Sequence, residues 1–157
     1  MFQTTTKTAA ALGLAGLMLA ASWSVAGAAR SADETKAFVE RAVAHIKDVG
    51  EEKAFADFSR PNGGFVDGEL YMFCYASDGV NKAHGANPSF VGKNLLGVKD
   101  PDGVQVNAEI IKVGMSQGSG WVDFKWPNPV SKKIEAKSAY VFKVGDRTVR
   151  GSGYYKG

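Results

Sequence analysis

A Pro-Asn-Gly-Gly break at residues 61–64 divides this chain into two parts with different hydrophobic periodicities, and it restricts the fold more than any other feature. Proline cannot continue a helix and glycine readily adopts positive φ, so no regular element is expected to cross this segment. Before the break apolar residues recur at helical spacing, whereas after it they mostly alternate as in β-strands. Helices followed by a run of strands favour an α+β fold with one mostly antiparallel sheet.

Two helices are predicted before the break. Ser31 and Glu34 match a capping box, in which each side chain accepts a hydrogen bond from a free backbone amide at the helix start. The apolar residues that follow at helical spacing are Phe38, Val39, Ala42, Val43, Ile46 and Val49. We therefore predict a first helix over residues 33–49, and a second, short helix over residues 51–58 after Gly50.

Five strands and one further helix are predicted after the break. Residues 69–76 and 80–84 are typical of a hairpin around a Ser-Asp-Gly turn. Residues 85–103 are rich in glycine, proline and asparagine and are predicted to form a loop. Apolar residues at steps of four, three and four then predict a helix over residues 104–115. The last three strands are predicted at residues 120–126, 134–144 and 148–155.

The first 28 residues have the pattern of a secretory signal peptide. Lys7 is the only charged residue within them, residues 9–21 form an unbroken apolar run, and residues 26–28 (Ala-Gly-Ala) match a cleavage site. The run is shorter than the roughly 20 residues that span a bilayer. We predict a signal peptide over residues 1–28 and a single mature domain over residues 29–157, exported to the bacterial periplasm. An uncleaved N-terminal anchor is the alternative.

The composition excludes several function classes. Nineteen Lys and Arg residues against sixteen acidic residues give a net charge of +3, which is too small and too evenly distributed for a nucleic-acid-binding surface. The single cysteine, Cys74, excludes an internal disulfide, a Cys-x-x-Cys redox pair, a four-cysteine zinc site and a covalent haem attachment motif. We therefore expect no nucleic-acid partner, no cofactor and no metal site.

Signals for catalysis are weak. No Gly-x-Ser-x-Gly motif occurs, and of the two histidines we expect His45 to be structural. His84 lies where the hairpin meets the loop, so it is a candidate for a ligand contact, and a role in bracing the loop is equally open. An enzyme would need a polar pair such as His84 and Asp123 to converge on one pocket. The Asp-Pro-Asp-Gly segment at residues 100–103 lacks the later ligands of a calcium loop and is predicted to be a turn.

Aromatic residues are frequent on the predicted strands, and lysines lie within the same strands. The aromatic residues are Tyr71, Phe73, Tyr75, Trp121, Phe124, Trp126, Tyr140 and Phe142. Lys125 and Lys137 occupy strand positions where a charge is disfavoured. Aromatic walls exclude water and strengthen the attraction between a cation and a carboxylate, as a pocket for a small anionic ligand requires. An aromatic core with lysines that extend to solvent is the alternative.

Several segments together resemble the single Cache domain family, second type, over roughly residues 33–156. They are residues 70–75, 77–79, 83–84, 87–88, 91–95, 100–103, 120–129, 137–140 and 151–155. The more specific parts are Trp-x-x-x-x-Trp-Pro-Asn-Pro from Trp121 and Lys-x-x-Tyr from Lys137. The resemblance implies a PAS-like, five-stranded antiparallel sheet with a long N-terminal helix packed on one face. It also implies an extracytoplasmic pocket for small molecules, often short organic acids, between the sheet and the loop and helix that follow the hairpin.

The sequence departs from the usual members of that family in two places. Family members are commonly segments of chemoreceptors or histidine kinases, in which a membrane helix and an output domain follow the last strand. This sequence stops at Gly157 directly after that strand, so we expect a stand-alone domain that acts through a separate partner. Residues 145–148 (Gly-Asp-Arg-Thr) replace a longer aromatic turn, so no ligand contact is transferred from that turn.

Seven residues are predicted to form the binding site. They are Tyr71, Phe73, His84, Trp121, Trp126, Lys137 and Tyr140. Lys137 is assigned to the anionic group of the ligand, because the resemblance implies that its Lys-x-x-Tyr segment lies beside the pocket. The aromatic wall is assigned to Tyr71, Phe73, Trp121 and Trp126. His84 and Tyr140 are assigned to hydrogen bonds with the ligand. Strict alternation would place Lys137 and Tyr140 on opposite faces of the sheet, so this assignment requires a bulge or a twist between them.

The sequence therefore predicts a binding protein and not an enzyme: a periplasmic sensor domain for a short, carboxylate-like organic acid. The expected partner is a membrane sensor kinase, a chemoreceptor or a transporter. The main alternative is a structural or inhibitory interaction protein with a vestigial pocket, and a small enzyme is the other.

Overall fold

The structure is a computed structural model, and it describes residues 30–157. The signal peptide predicted at residues 1–28 lies outside the described residues, so its cleavage stays a prediction. Within the described part of the chain, no helix is both long enough and apolar enough to cross a membrane.

Both predicted N-terminal helices are present, α1 at Ala32–Val49 and α2 at Glu51–Phe58. The Ser31 hydroxyl oxygen accepts a hydrogen bond from the Glu34 amide at 3.2 Å, and the Glu34 carboxylate accepts one from the Ser31 amide at 2.8 Å. The predicted capping box therefore forms. Gly50 separates the two helices, because its φ of 83° is readily adopted by glycine and strained for other residues.

The strands of the sheet follow the break. The elements after α2 are β1 (Val66–Asp67), β2 (Leu70–Tyr71), β3 (Phe73–Ala76), β4 (Asn81–His84), a 3₁₀ helix (Pro88–Phe90), α3 (Val106–Gln117), β5 (Ser119–Pro127), β6 (Ile134–Val144) and β7 (Thr148–Tyr155). β1 and β2 form a two-stranded ribbon, and the other strands form an antiparallel sheet in the order β4-β3-β7-β6-β5. The predicted α+β class and five-stranded antiparallel sheet are confirmed.

The strand predicted over residues 69–76 is divided at Met72. The Met72 amide donates to the Phe65 carbonyl at 3.3 Å, and the Met72 carbonyl accepts from the Gly85 amide at 2.9 Å. These bonds connect the hairpin to the segments on either side of it. As a result, β2 pairs with the short strand β1, while β3 enters the main sheet.

The sheet separates two apolar layers. On one face α1 packs across the sheet, and Phe38, Ala42 and Ile46 are buried there as predicted. On the other face α3 packs against the sheet and closes a second layer. Alternation along β2 and β3 directs three aromatic side chains into the α3 layer, namely Tyr71, Phe73 and Tyr75.

Candidate functional site

A small cavity lies between the sheet and α3. Its lining residues are Tyr71, Phe73, Tyr75, His84, Val106, Asn107, Ile110, Phe124, Trp126 and Lys137. The cavity has about 10 Å³ of free volume, which is about the space that one water molecule needs. The side chains therefore close around its centre, and a larger ligand requires them to move apart.

Lys137 on β6 supplies the one basic amine among the described residues that line this cavity. Its side chain is only 1% exposed, and its Nζ atom lies 3.9 Å from the ring centre of Tyr71 and 4.7 Å from that of Tyr155. Within residues 30–157 no carboxylate forms an ion pair with Lys137. Burial lowers the pKa of Lys137 well below its ordinary value, and the carboxylate of Glu69 opposes this effect more weakly.

Tyr155 connects Lys137 to the backbone of β5. Lys137 Nζ donates a long hydrogen bond of 3.5 Å to the Tyr155 hydroxyl oxygen, and that hydroxyl donates to the Pro127 carbonyl at 2.7 Å. The Tyr71 hydroxyl oxygen lies 3.5 Å from the Tyr155 hydroxyl oxygen. Burial raises the pKa of both tyrosines, so both are neutral at physiological pH. None of the described residues that line the cavity carries a negative charge.

His84 is a neutral hydrogen-bond donor beside the Tyr71 ring. Its ring centre lies 5.1 Å from that of Tyr71, and the residue is 2% exposed. Its Nδ1 accepts a hydrogen bond from the Asn87 amide at 2.9 Å, which assigns the ring proton to Nε2. Burial, with the charge of Lys137 as a smaller second cause, lowers the pKa of His84 to about 3.

Asn107 brings an unused acceptor to the cavity from the first turn of α3. Its Nδ2 donates to the Leu95 carbonyl at 3.0 Å, whereas its buried Oδ1 has no hydrogen-bond partner among the described residues. A buried polar atom without a partner costs stability, and such atoms are rare unless a ligand or water satisfies them. Asn107 is therefore a further candidate for a ligand contact.

A second cavity of about 270 Å³ adjoins the first and shares two of its walls, His84 and Trp126. Its other lining residues are Ala86, Asn87, Phe90, Pro127, Asn128, Pro129 and Lys132. Several of these are exposed, including Ala86 and Lys132, so this outer cavity reaches solvent. The side chains of His84 and Trp126 thus lie between the outer cavity and the cavity that contains Lys137.

The structure brings five of the seven predicted site residues together: Tyr71, Phe73, His84, Trp126 and Lys137. Trp121 and Tyr140 lie on the opposite face of the sheet, where their ring centres are 5.3 Å apart and Lys36 lies over the Tyr140 ring. The pairing of β6 with both neighbours is continuous, without the bulge that the prediction required. Including Trp121 and Tyr140 in the cavity was therefore wrong, because strand alternation directs them toward α1.

Several residues of the site were not predicted. Strand alternation could have predicted some of them, whereas others depend on which strands pair. Phe124 lies two positions before Trp126, and Tyr75 two positions after Phe73, so simple alternation places both on the face of predicted residues. Tyr155 is not among the lining residues, but it contacts Lys137 because the register of β6 and β7 pairs the two residues, and the sequence does not show that register.

His84 and Asp123, the polar pair considered for an enzyme, do not converge on the cavity. His84 lines the cavity, whereas the Asp123 side chain is exposed and forms an ion pair with Lys156 at 2.9 Å. His45 is bound to Asp57, with 2.9 Å between His45 Nε2 and Asp57 Oδ2. Both histidines are thus accounted for without a catalytic pair between His84 and Asp123.

Asp100 forms the turn that was predicted for residues 100–103. Its Oδ1 accepts hydrogen bonds from the amides of Asp102 and Val104, and its Oδ2 accepts one from the Lys125 amide. These bonds hold the turn against β5, and the pKa of Asp100 is lowered by them. Among residues 30–157 no cluster of three or more side chains could hold a metal ion.

An open groove of about 770 Å³ lies between the start of α3 and the edge strand β5. It is open to solvent, and its charged residues, Lys99, Glu109 and Asp123, are exposed or half-buried. Because such a groove does not exclude water, it cannot strengthen a charged contact as the enclosed cavity does.

The comparisons with known proteins agree with this geometry. The family model described as Single Cache domain 2 matches residues 17–146. The methyl-accepting chemotaxis protein McpP of Pseudomonas putida is 35% identical over 58 residues, which are 37% of this chain and 11% of McpP. The sensor histidine kinase MctS of Rhizobium johnstonii is 35% identical over 86 residues, which are 54% of this chain and 18% of MctS. The chain thus matches less than a fifth of the length of either relative.

Two solved structures show the same fold. A methyl-accepting chemotaxis protein from Vibrio parahaemolyticus is 28% identical, with a TM-score of 0.68 over 78% of this chain and 86% of that one. A Cache chemosensory domain whose structure addresses carboxylic acid recognition is 22% identical, with a TM-score of 0.62 over 78% of this chain and 86% of that one.

A five-stranded antiparallel sheet with a long helix on one face and an enclosed cavity on the other is a PAS-like fold. The chain belongs to the single Cache domain family, type 2.

Proposed function

We propose that this chain is an exported periplasmic domain that binds a short organic acid in the cavity between the sheet and α3. The observation that carries the proposal is Lys137, a buried amine without a carboxylate partner among the described residues, surrounded by aromatic rings. Charged side chains are rarely buried unless they are paired, so a site of this kind is suited to an anionic ligand.

The surrounding groups suit a carboxylate with a short apolar chain. Lys137 and the Nε2–H of His84 supply two donors, and the hydroxyls of Tyr71 and Tyr155 lie beside the amine. The remaining wall is apolar, which suits a short aliphatic chain. The same fold serves carboxylic acid recognition in the 22% identical Cache chemosensory domain, which supports this ligand class.

Binding must open the cavity, because its present free volume of about 10 Å³ holds no more than a water molecule. We propose that the ligand enters through the outer cavity and displaces Trp126 or His84. The resulting shift of β5 and of the Pro127 carbonyl, which Tyr155 contacts, would change the surface near the end of β7. A membrane sensor kinase, a chemoreceptor or a transporter would read that change.

A titration with short carboxylates tests the proposal. We expect acetate, propionate or lactate to bind the mature domain, and the substitution Lys137→Met to weaken that binding by about 10- to 150-fold, because a charge-assisted hydrogen bond is lost. Isothermal titration calorimetry measures both affinities. The matched control is Lys125→Met, since Lys125 is an exposed lysine on β5 that pairs with Asp102. Equal affinity in the wild type and in Lys137→Met would contradict the proposal.

A further inference from the structure

A positive charge on the buried amine of Lys137 would have no negatively charged partner among the described residues. The titratable groups around it are Tyr71 on β2, Tyr75 on β3, His84 on β4, Tyr155 on β7 and, farther away, Glu69 between β1 and β2 and Glu135 on β6. The helix α3 contributes Asn107, which does not titrate. The four aromatic or imidazole groups nearest to the amine are all neutral near pH 7.

The two carboxylates nearby are held away from the amine by another residue. The Nδ2 atom of Asn128 donates to Glu69 at 2.8 Å and to Glu135 at 2.7 Å. Ser131 donates a further hydrogen bond to Glu135 at 2.6 Å. Both carboxylates are therefore satisfied at a side chain other than Lys137, and neither forms an ion pair with it.

Burial and the lack of an ion-pair partner among the described residues both oppose the charged form of the amine in the empty cavity. The ring faces of Tyr71 and Tyr155 attract an ammonium group, but such contacts offset only part of the cost of removing it from water. Burial is the dominant effect and lowers the pKa of Lys137. An acidic ligand that enters this cavity as an anion would then meet a neutral amine, and the buried negative charge would be uncompensated.

We infer that the cavity takes up a monocarboxylate together with one proton, so that the neutral amine of Lys137 becomes the ammonium partner of the carboxylate. The balance is Lys–NH₂ plus H⁺ plus R–COO⁻ giving Lys–NH₃⁺ paired with R–COO⁻, and the site stays neutral overall. Because the lining residues offer this one basic amine and a neutral His84, a second carboxylate on the ligand would have no partner. Monocarboxylates are therefore favoured over dicarboxylates.

This inference rests on the proposed function, and calorimetry with propionate distinguishes the two. At pH 7 we expect the wild-type domain to take about one proton from the buffer for each propionate bound. The binding enthalpies measured in phosphate and in Tris should therefore differ by about the difference between the ionisation enthalpies of the two buffers. Between pH 7 and pH 8 the apparent affinity should fall about tenfold, because one proton is bound with each ligand.

The outcomes separate clearly. If neither propionate nor any other short carboxylate binds, the proposed function fails and the inference fails with it. If propionate binds with the same enthalpy in both buffers and with an affinity independent of pH, the function stands and the proton-coupled inference is overturned. The variant His84→Asn, measured at saturating propionate, should retain the proton uptake, and loss of the uptake in this variant would assign it to His84 and overturn the role of Lys137.

Discussion

Between pH 6.5 and pH 4 the domain should lose on the order of 3 kcal/mol of unfolding free energy because of His84. Burial lowers the pKa of His84 from 6.5 to about 3, so the unfolded state binds a proton in this range that the folded state does not. A group with a lowered folded pKa contributes stability that is present above its unfolded pKa and is lost as the pH falls toward its folded pKa. Urea unfolding at several pH values measures this slope.

The control for this prediction is His84→Asn. The asparagine can still accept the hydrogen bond from the Asn87 amide, but it does not titrate, so the slope between pH 6.5 and pH 4 should become shallower than in the wild type. The carboxyl group of Asp57, whose pKa is lowered to about 2 by His45 and Lys53, begins to lose its contribution near pH 4 in both proteins, so the difference between the two slopes measures His84. An unchanged slope in His84→Asn would show that His84 is not buried as a neutral ring.

Phe38→Ala should lower the free energy of unfolding by about 3–5 kcal/mol, which is typical when a buried aromatic side chain is removed. Phe38 lies on α1 with 6% exposure, and its ring meets that of Phe65 edge-on at 6.3 Å between centres. Arg41 covers the outer side of both rings. The loss of these contacts would leave a cavity between α1 and the sheet. Chemical unfolding monitored by circular dichroism gives the value.

Glu40→Ala is the matched control for Phe38, because Glu40 is exposed on the same helix and alanine is at least as good a helix former. Its unfolding midpoint should stay within the small range that is usual for surface substitutions. If Phe38→Ala behaved like Glu40→Ala, α1 would not be part of the core.

The sequence predicted the helices and strands well because each has a local signal. The capping box at Ser31 and the helical repeat of Phe38, Ala42 and Ile46 are contained in one helix. The hairpin was recognisable from its turn and from its aromatic alternation. The division of the first hairpin strand at Met72 was not predictable, because it depends on hydrogen bonds to Phe65 and Gly85, which lie in other segments.

The site was only partly predictable, because it depends on which strands are neighbours. Alternation alone shows that Trp121 and Trp126 face opposite sides of β5, and that Lys137 and Tyr140 face opposite sides of β6. Using that rule strictly would have removed Trp121 and Tyr140 from the predicted site. By contrast, the contact of Lys137 with Tyr155 requires the register of β6 and β7.

The central claim is that Lys137 holds the carboxylate of a short organic acid within the cavity beside α3. A crystal structure of the mature domain with propionate tests it most directly. We predict a carboxylate oxygen about 2.7–2.9 Å from Lys137 Nζ, the aliphatic end against the rings of Tyr71 and Trp126, and a cavity wider than the present one. Propionate bound in the open groove beside Trp121, with Lys137 still enclosed by Tyr71 and Tyr155, would contradict the account.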